Sequence, residues 1–289
     1  MRIGSIENHR SREGGALVYP VYSRRSQGLS MGINLFPDHK RCSFDCPYCE
    51  VFPFKTNSRF SPELMEKQLL QELSQAAAQG LTVKDICFSG NGEPTISPYF
   101  SDALERASLI RDTWSPEADL VVITNGTGLL EGRLFDTLGH AAAGPMGLKI
   151  WLKLDAGTED WYREMNRSQV PYRSLMNAIR DLAGSAPVTI QTMLCQVKGK
   201  PPSQAEASAW EKLVVELSRI RAAGEPVKKD ATGNRIPGIR DIHLYGKARP
   251  AAEDPAAAAL PLSYLETRAL SLKKVLEDAG LNPAVQVFP

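Results

Sequence analysis

The segment Leu148-Lys149-Ile150-Trp151-Leu152-Lys153-Leu154-Asp155 divides into two interleaved sets of side chains. Leu148, Ile150, Leu152 and Leu154 are aliphatic; Lys149, Trp151, Lys153 and Asp155 are mostly charged. Strand side chains alternate between faces with a period of two, so this segment carries one apolar and one polar face. An open, doubly wound sheet meets helices on both sides and calls for two apolar faces. A barrel with helices outside and a ligand inside takes one face of each kind. Val188–Cys195 repeats the pattern, with Val188, Ile190 and Leu194 set against Thr189, Gln191 and Met193. So does Ile239–Tyr245, with Ile242 and Leu244 set against Asp241, His243 and Tyr245. The competing explanation is a polar face on a solvated edge strand.

Six strand-like stretches recur: Met31–Phe36, Val83–Ser89, Asp119–Thr124, Leu148–Asp155, Val188–Cys195 and Ile239–Tyr245. Helical patterns separate them. Ser61-Pro62-Glu63 supplies an N-cap, a first-turn proline and an early acid, and the helix that follows buries Met65, Leu69, Leu73 and Ala76 before Gly80. Ser203 with Glu206 three residues on reads as a capping box. Strands alternating with helices predict right-handed βα units and a parallel sheet. The expected organisation is an N-terminal extension over 1–30, a partial barrel over 31–250, and a linker with a C-terminal helix over 251–289. Gly224–Ile239 reads as a charged, Gly/Pro-punctuated insertion, a solvated loop, with a lid or partner-docking loop as the alternative.

Thirty-four basic against 33 acidic residues leave a net charge of +1, which gives no electrostatic argument for nucleic acid while leaving room for a local basic patch. No apolar run approaches the ~18 residues of a membrane span. Met1-Arg2-Ile3-Gly4-Ser5 lacks the apolar region of a secretion signal.

The chemistry is concentrated in Cys42-Ser43-Phe44-Asp45-Cys46-Pro47-Tyr48-Cys49. Three thiolates on one tight loop can hold an iron–sulfur cluster, and a cubane with three protein ligands leaves one iron open to a substrate or cofactor. Structural zinc is the main rival, but it normally takes four ligands, and Cys87 and Cys195 are each isolated. A disulfide pair with a spare thiol is the other alternative. Thiolate ligands need a reducing compartment, which predicts a cytoplasmic protein. Cys87 and Cys195, on strands, are expected to bury as small apolar residues. The second signal is Gly90-Asn91-Gly92-Glu93-Pro94, directly after the strand ending at Ser89. Glycines there allow close approach of a ligand to the backbone, although an ordinary strand-to-helix turn also uses them.

Together, the CxxxCxxC loop and the GNGEP turn resemble the radical S-adenosylmethionine (radical SAM) superfamily. The lead-in from Tyr22 to Asn34 and the run Leu154-Asp155-Ala156-Gly157-Thr158 are similar to a branch related to the wyosine-base (tRNA) synthetases. Those enzymes carry a second cluster on upstream cysteines, and this chain has no cysteine before Cys42. The resemblance implies an α/β fold, an incomplete (β/α)6 TIM-like barrel. It also implies a [4Fe–4S] cluster on Cys42, Cys46 and Cys49, and S-adenosylmethionine as the second cofactor. One electron would split the sulfonium and yield a 5′-deoxyadenosyl radical, which abstracts hydrogen from a small molecule or a protein side chain. Modification of tRNA or another RNA, and a non-enzymatic Fe–S or zinc module, are the alternatives. The reductant would be flavodoxin- or ferredoxin-like.

Under the same resemblance Gly90 and Gly92 expose backbone acceptors to the methionyl ammonium, Glu93 orders their turn, and Tyr48 packs on the adenine. Thr124 ends the third strand; Asn125 and Asp155 meet the ribose; Gln191 and Met193 flank the adenine. Lys153, His243, Tyr245 and Arg249 are the substrate-side candidates. The cysteine loop, the glycine-rich turn, Thr124-Asn125-Gly126 and Asp155 sit at the C-terminal ends of the first four strands, where parallel α/β folds place their ligands, and Lys153, Gln191, Met193, His243 and Tyr245 are expected to face the interior.

Overall fold

The computed structural model describes residues 3, 16–220, 238–249, 251, 254 and 257–289. The chain divides into two compact units. The expected insertion Gly224–Ile239 lies outside the described residues up to position 237.

The first unit comprises the described residues of Met1–Cys42, Val51–Thr124 and Gly144–Lys149. Its strands are β1 (Val18–Ser23), β2 (Gly28–Asn34), β3 (Val83–Ser89) and β4 (Asp119–Thr124); its helices are α1 (Pro62–Ala78) and α2 (Phe100–Trp114). β2, β3 and β4 pair in parallel, as expected of βα units. β1 falls within the expected N-terminal extension, where the sequence pattern marks no strand. It pairs antiparallel with β2 from Val18↔Ile33 to Ser23↔Gly28. Its Pro20 is tolerated because, among the described residues, this is an edge strand with a partner on one side only. Helix α1 begins as the sequence indicates: Ser61 Oγ accepts from the Leu64 N–H at 3.3 Å, Pro62 opens the first turn, and Met65, Leu69, Leu73 and Ala76 are buried. Phe88 of β3 meets Phe100 of α2 edge to face at 5.6 Å, which locks helix to sheet.

The second unit comprises the described residues of Ser43–Glu50, Asn125–Ala143 and Ile150–Pro289. It contains α3 (Gly132–Ala143), β5 (Lys149–Lys153), α4 (Glu159–Met165), α5 (Tyr172–Ser185), β6 (Val188–Gln196), α6 (Gln204–Arg219), β7 (Ile239–Gly246), β8 (Ala258–Ala259), α7 (Leu262–Asp278) and β9 (Ala284–Phe288). β5, β6, β7 and β9 form consecutive parallel pairs, with β8 antiparallel on the end of β6. The chain beyond α7 therefore returns as a strand beside β7, where the sequence pattern ends in a helix.

The polar face of these strands is not a solvated edge. β6 lies between β5 and β7, and Thr189, Gln191 and Met193 are as buried as Ile190 and Leu194. Register then lines up a polar row across the sheet: Lys153↔Gln191↔His243↔Gln286. Further toward the C-terminal ends of the strands follow Met193↔Tyr245↔Phe288.

The capping box at α6 forms only in part. Ser203 Oγ accepts from the Glu206 N–H at 3.1 Å, but the Glu206 carboxylate does not return to Ser203. It accepts instead from the Gly157 N–H and the Thr158 hydroxyl, both at 2.5 Å. Gly157 is tight against α6: a Cβ there would lie 2.1 Å from Trp210 N. The Trp210 indole donates to Leu154 O at 2.9 Å. The Leu154–Thr158 run is thus pinned onto α6 immediately after Asp155.

Candidate active site

In the first unit, the glycine-rich turn after β3 is packed onto the chain that leads into Cys42. The Glu93 N–H donates to Arg41 O at 2.9 Å and the Arg41 N–H donates to Asn91 O at 3.1 Å. This bridge brings Gly92 so close that a Cβ would sit 1.8 Å from Arg41 O. Gly90 has φ of +106°, a region that only glycine enters without cost. Asn34, at the end of β2, accepts at Oδ1 from the Phe36 and Asn91 N–H groups at 3.1 and 3.2 Å. Glu93 is buried, and its Oε1 accepts from the Thr95 N–H at 3.1 Å, the Thr95 hydroxyl at 2.5 Å and the Thr124 hydroxyl at 2.6 Å. Glu93 and Thr124 therefore shape the turn together.

In the second unit, residues 43–50 are held by two short segments. Asn125, after β4, accepts at Oδ1 from the Thr127 N–H at 3.0 Å and the Thr127 hydroxyl at 2.7 Å, and its amide donates to Ser43 Oγ at 3.0 Å. The Asp45 N–H donates to Asn166 O at 2.9 Å, and the Ser168 hydroxyl donates to Ser43 O at 2.9 Å. Phe44 packs edge to face on Tyr162 of α4 at 5.6 Å. The Cys49 N–H donates to Cys46 O at 2.9 Å, closing a turn between the two thiols.

Asp155 is the hub of this unit. Its side chain is wholly inaccessible. Oδ2 accepts from the Tyr48 hydroxyl at 2.5 Å and from Asn166 Nδ2 at 2.9 Å; Oδ1 accepts from the Met193 N–H at 2.9 Å and lies 3.3 Å from Lys153 Nζ. Both oxygens of this carboxylate are thus engaged within the protein. Lys153 also donates to the Tyr245 hydroxyl, and its ammonium lies over the Tyr48 and Tyr245 rings at 4.8 and 4.9 Å. Burial works against that charge, but Asp155, Tyr245 and Cys46 together hold Lys153 above the ordinary lysine range. Burial and the Asp155 charge raise the Tyr48 hydroxyl, so it stays a donor. Burial and Asp155 also push the Cys46 thiol up to about 12.

The remaining predicted residues have specific settings. His243 Nδ1 lies 2.7 Å from Gln191 Nε2, and its ring meets Trp151 and Phe288 edge to face at 5.4 and 5.0 Å. That is a packed structural environment. Met193 and Tyr245 line a buried cluster with Tyr48, Met165 and Cys195, against which Cys46 rests. Arg249 Nε donates to Glu50 Oε2 at 2.5 Å and so ties the chain after β7 to the residue following Cys49. Cys87 and Cys195 are buried as expected. Sequence reasoning missed Ser43, Thr127, Asn166 and Ser168; no spacing or composition signal marks them.

The fit of an iron–sulfur cluster rests on the chemistry of the donors. None of the five cysteines is in a disulfide. Phe44 and Tyr48 turn inward, while Cys42 is exposed and Cys46 and Cys49 are half-buried. Among the described residues, no three His, Cys, Asp or Glu side chains are gathered at one point as in a closed metal site. The loop thus offers soft thiol ligands, held by hydrogen bonds to its backbone and to Ser43, and these suit the group.

The family model described as the radical SAM superfamily matches residues 37–200, which include both the cysteine loop and the glycine-rich turn. The chain belongs to the radical SAM superfamily. The family implies SAM and an iron–sulfur cluster. A UPF0026 protein of Helicobacter pylori is 31% identical over 97 residues, covering 33% of this chain and 31% of that protein. A radical SAM methyltransferase from Sphaerobacter thermophilus superposes with a TM-score of 0.57 at 16% identity, covering 90% of this chain and 66% of the other. Streptococcus suis SuiB bound to S-adenosylmethionine gives 0.57 at 12% identity, covering 86% and 48%. The chain thus spans less than two thirds of each of these proteins. The structural likeness shows the fold, the incomplete (β/α)6 barrel of radical SAM enzymes. No helix among the described residues is long and apolar enough to cross a membrane.

Proposed function

We propose that this radical SAM enzyme binds a [4Fe–4S] cluster on Cys42, Cys46 and Cys49 and uses it to cleave SAM reductively, for hydrogen abstraction from a small molecule or a protein side chain. The observation that carries the reading is the hold on the cysteine loop within the second unit, where Ser43 and Asp45 bond to Asn125, Ser168 and Asn166. Such anchoring presents three thiols of fixed order from a short backbone. When bound, the cluster and SAM supply an electron and a carbon-centred radical. The chain's own residues bind, orient and exclude water. Gly90 and Gly92 keep side chains away from the turn, so backbone acceptors there are available to an ammonium. Glu93 and Thr124 hold that turn, and Asn125 holds Ser43 beside Cys42. Asp155 fixes Tyr48, Lys153 and the Met193 backbone. Gln191, Met193 and Tyr245 line the buried polar face, where Lys153 offers a positive charge to an anionic group. Arg249 secures Glu50. A flavodoxin- or ferredoxin-like donor would supply the electron.

The direct test is elemental. Anaerobically reconstituted protein should hold roughly four irons and four sulfides per chain, and Cys46→Ala should lose most of both. Zinc without sulfide in the purified protein would count against the reading.

A further inference from the structure

Asn166 closes α4 and is 2% exposed, and no feature of the sequence marks it. Its side-chain amide donates to Asp155 Oδ2 at 2.9 Å and lies 3.6 Å from Cys46 Sγ. Its backbone is equally committed: the N–H donates to Tyr162 O at 2.8 Å and the carbonyl accepts from the Asp45 N–H at 2.9 Å. The orientation of the amide follows from chemistry. A carboxylate in this setting is an acceptor, so the nitrogen of Asn166, not its oxygen, must face Asp155. A primary amide nitrogen has two hydrogens in one plane. With one directed at Asp155, the other is directed at the sulfur of Cys46. The Tyr48 hydroxyl donates to the same carboxylate oxygen.

We propose that Asn166 is a positioning residue that donates an N–H···S hydrogen bond to Cys46 and thereby sets the reduction potential of the cluster, with Asp155 as its orienting partner. This rests on the reading of Cys46 as a cluster ligand. Reduction adds negative charge to the cluster and its sulfurs, so a donor aimed at a ligand sulfur favours the reduced state and raises the potential; hydrogen bonds to sulfur are among the factors that set iron–sulfur potentials. Outer partners of metal ligands commonly act this way. The donor comes from a residue whose other bonds, to Asp155, Tyr162 and Asp45, leave it no freedom to withdraw, so the contact is built into the fold.

The test compares reconstituted full-length wild type with Asn166→Val, which keeps volume but loses the donor, and Asn166→Gln, which keeps an amide. Iron and sulfide are counted, and the midpoint is read by EPR-monitored redox titration without SAM. The expected result is wild-type iron content in Asn166→Val with a midpoint at lower potential, equivalent to a roughly fivefold less favourable reduction equilibrium, the scale of one neutral hydrogen bond. Asn166→Gln should recover at least part of the shift. An unchanged midpoint in iron-loaded Asn166→Val overturns the proposal. So does loss of iron from Asn166→Val that Asn166→Gln does not restore, because that pattern is a folding defect. Wild type that assembles no cluster refutes the cluster reading itself and takes this proposal with it.

Discussion

Replacing Gly92 by alanine separates steric packing from backbone strain at the glycine-rich turn. The φ of Gly92 is not in the left-handed region, so alanine meets no conformational penalty there. The added methyl would instead fall 1.8 Å from Arg41 O and 2.7 Å from its carbonyl carbon, both backbone atoms that no rotamer change can move aside. Relief requires the two segments to part, at an overpacking cost of about 1–3 kcal/mol. Parting also breaks the paired hydrogen bonds between Arg41 and residues 91 and 93, at about 1 kcal/mol each. The sum is about 3–5 kcal/mol. Gly80 provides the opposite control: its φ is +66° and a Cβ would meet nothing within 4 Å. Gly80→Ala should therefore cost only the strain of a left-handed residue, about 1–2 kcal/mol. Urea unfolding of the metal-free protein, followed by circular dichroism and tryptophan fluorescence, gives both values. A Gly92→Ala variant within about 0.5 kcal/mol of wild type, or less affected than Gly80→Ala, would refute the packing argument.

Two further variants test the electrostatics. Lys153→Met leaves the inaccessible Asp155 without its cation and should cost about 3–5 kcal/mol. Lys149→Met removes a shorter ion pair, 2.6 Å to Asp119, whose side chains are 44% and 46% exposed, and should cost less than about 1 kcal/mol; equal losses would show that burial is not the deciding variable. Asp85, buried on β3 and bonded to the Ser30 hydroxyl, has its carboxyl raised, chiefly by burial. The folded protein therefore holds this proton more tightly than the unfolded chain, and stability falls as pH rises from the unfolded value through the folded one. Asp85→Asn should flatten the fall in stability that begins above about pH 4 and gain on wild type as pH rises; urea unfolding stabilities that run parallel with rising pH in the two proteins would contradict the assignment.

What the sequence made legible was periodic or local. The alternation along residues 148–155 marks the polar face on its own, because a period of two survives whatever covers the strand. The N-cap at Ser61 was legible because its partners lie within one turn. β1 was not, since Pro20 interrupts the pattern and the strand is defined by pairing with β2. β9 was not, since five residues after a helix carry too little pattern. Glu206 misled because a short-range motif lost to a partner 49 residues away. The Asp155 hub was half legible: the residue stood out, but its bonds to Tyr48, Asn166 and the Met193 backbone span 107, 11 and 38 residues and depend on the tertiary fold. Asn166 and Ser168 have no signature, as amides and hydroxyls that close loops resemble those that face solvent.

The central claim is that the cysteine loop of this chain drives reductive cleavage of SAM. The most direct measurement is 5′-deoxyadenosine, detected by mass spectrometry after the anaerobically reconstituted protein is incubated with SAM and dithionite, with Cys46→Ala treated in parallel. The account predicts 5′-deoxyadenosine from wild type and none above background from Cys46→Ala. A wild-type protein that holds a full [4Fe–4S] cluster and yet forms no 5′-deoxyadenosine under strong reductant, with or without added substrates, would contradict it.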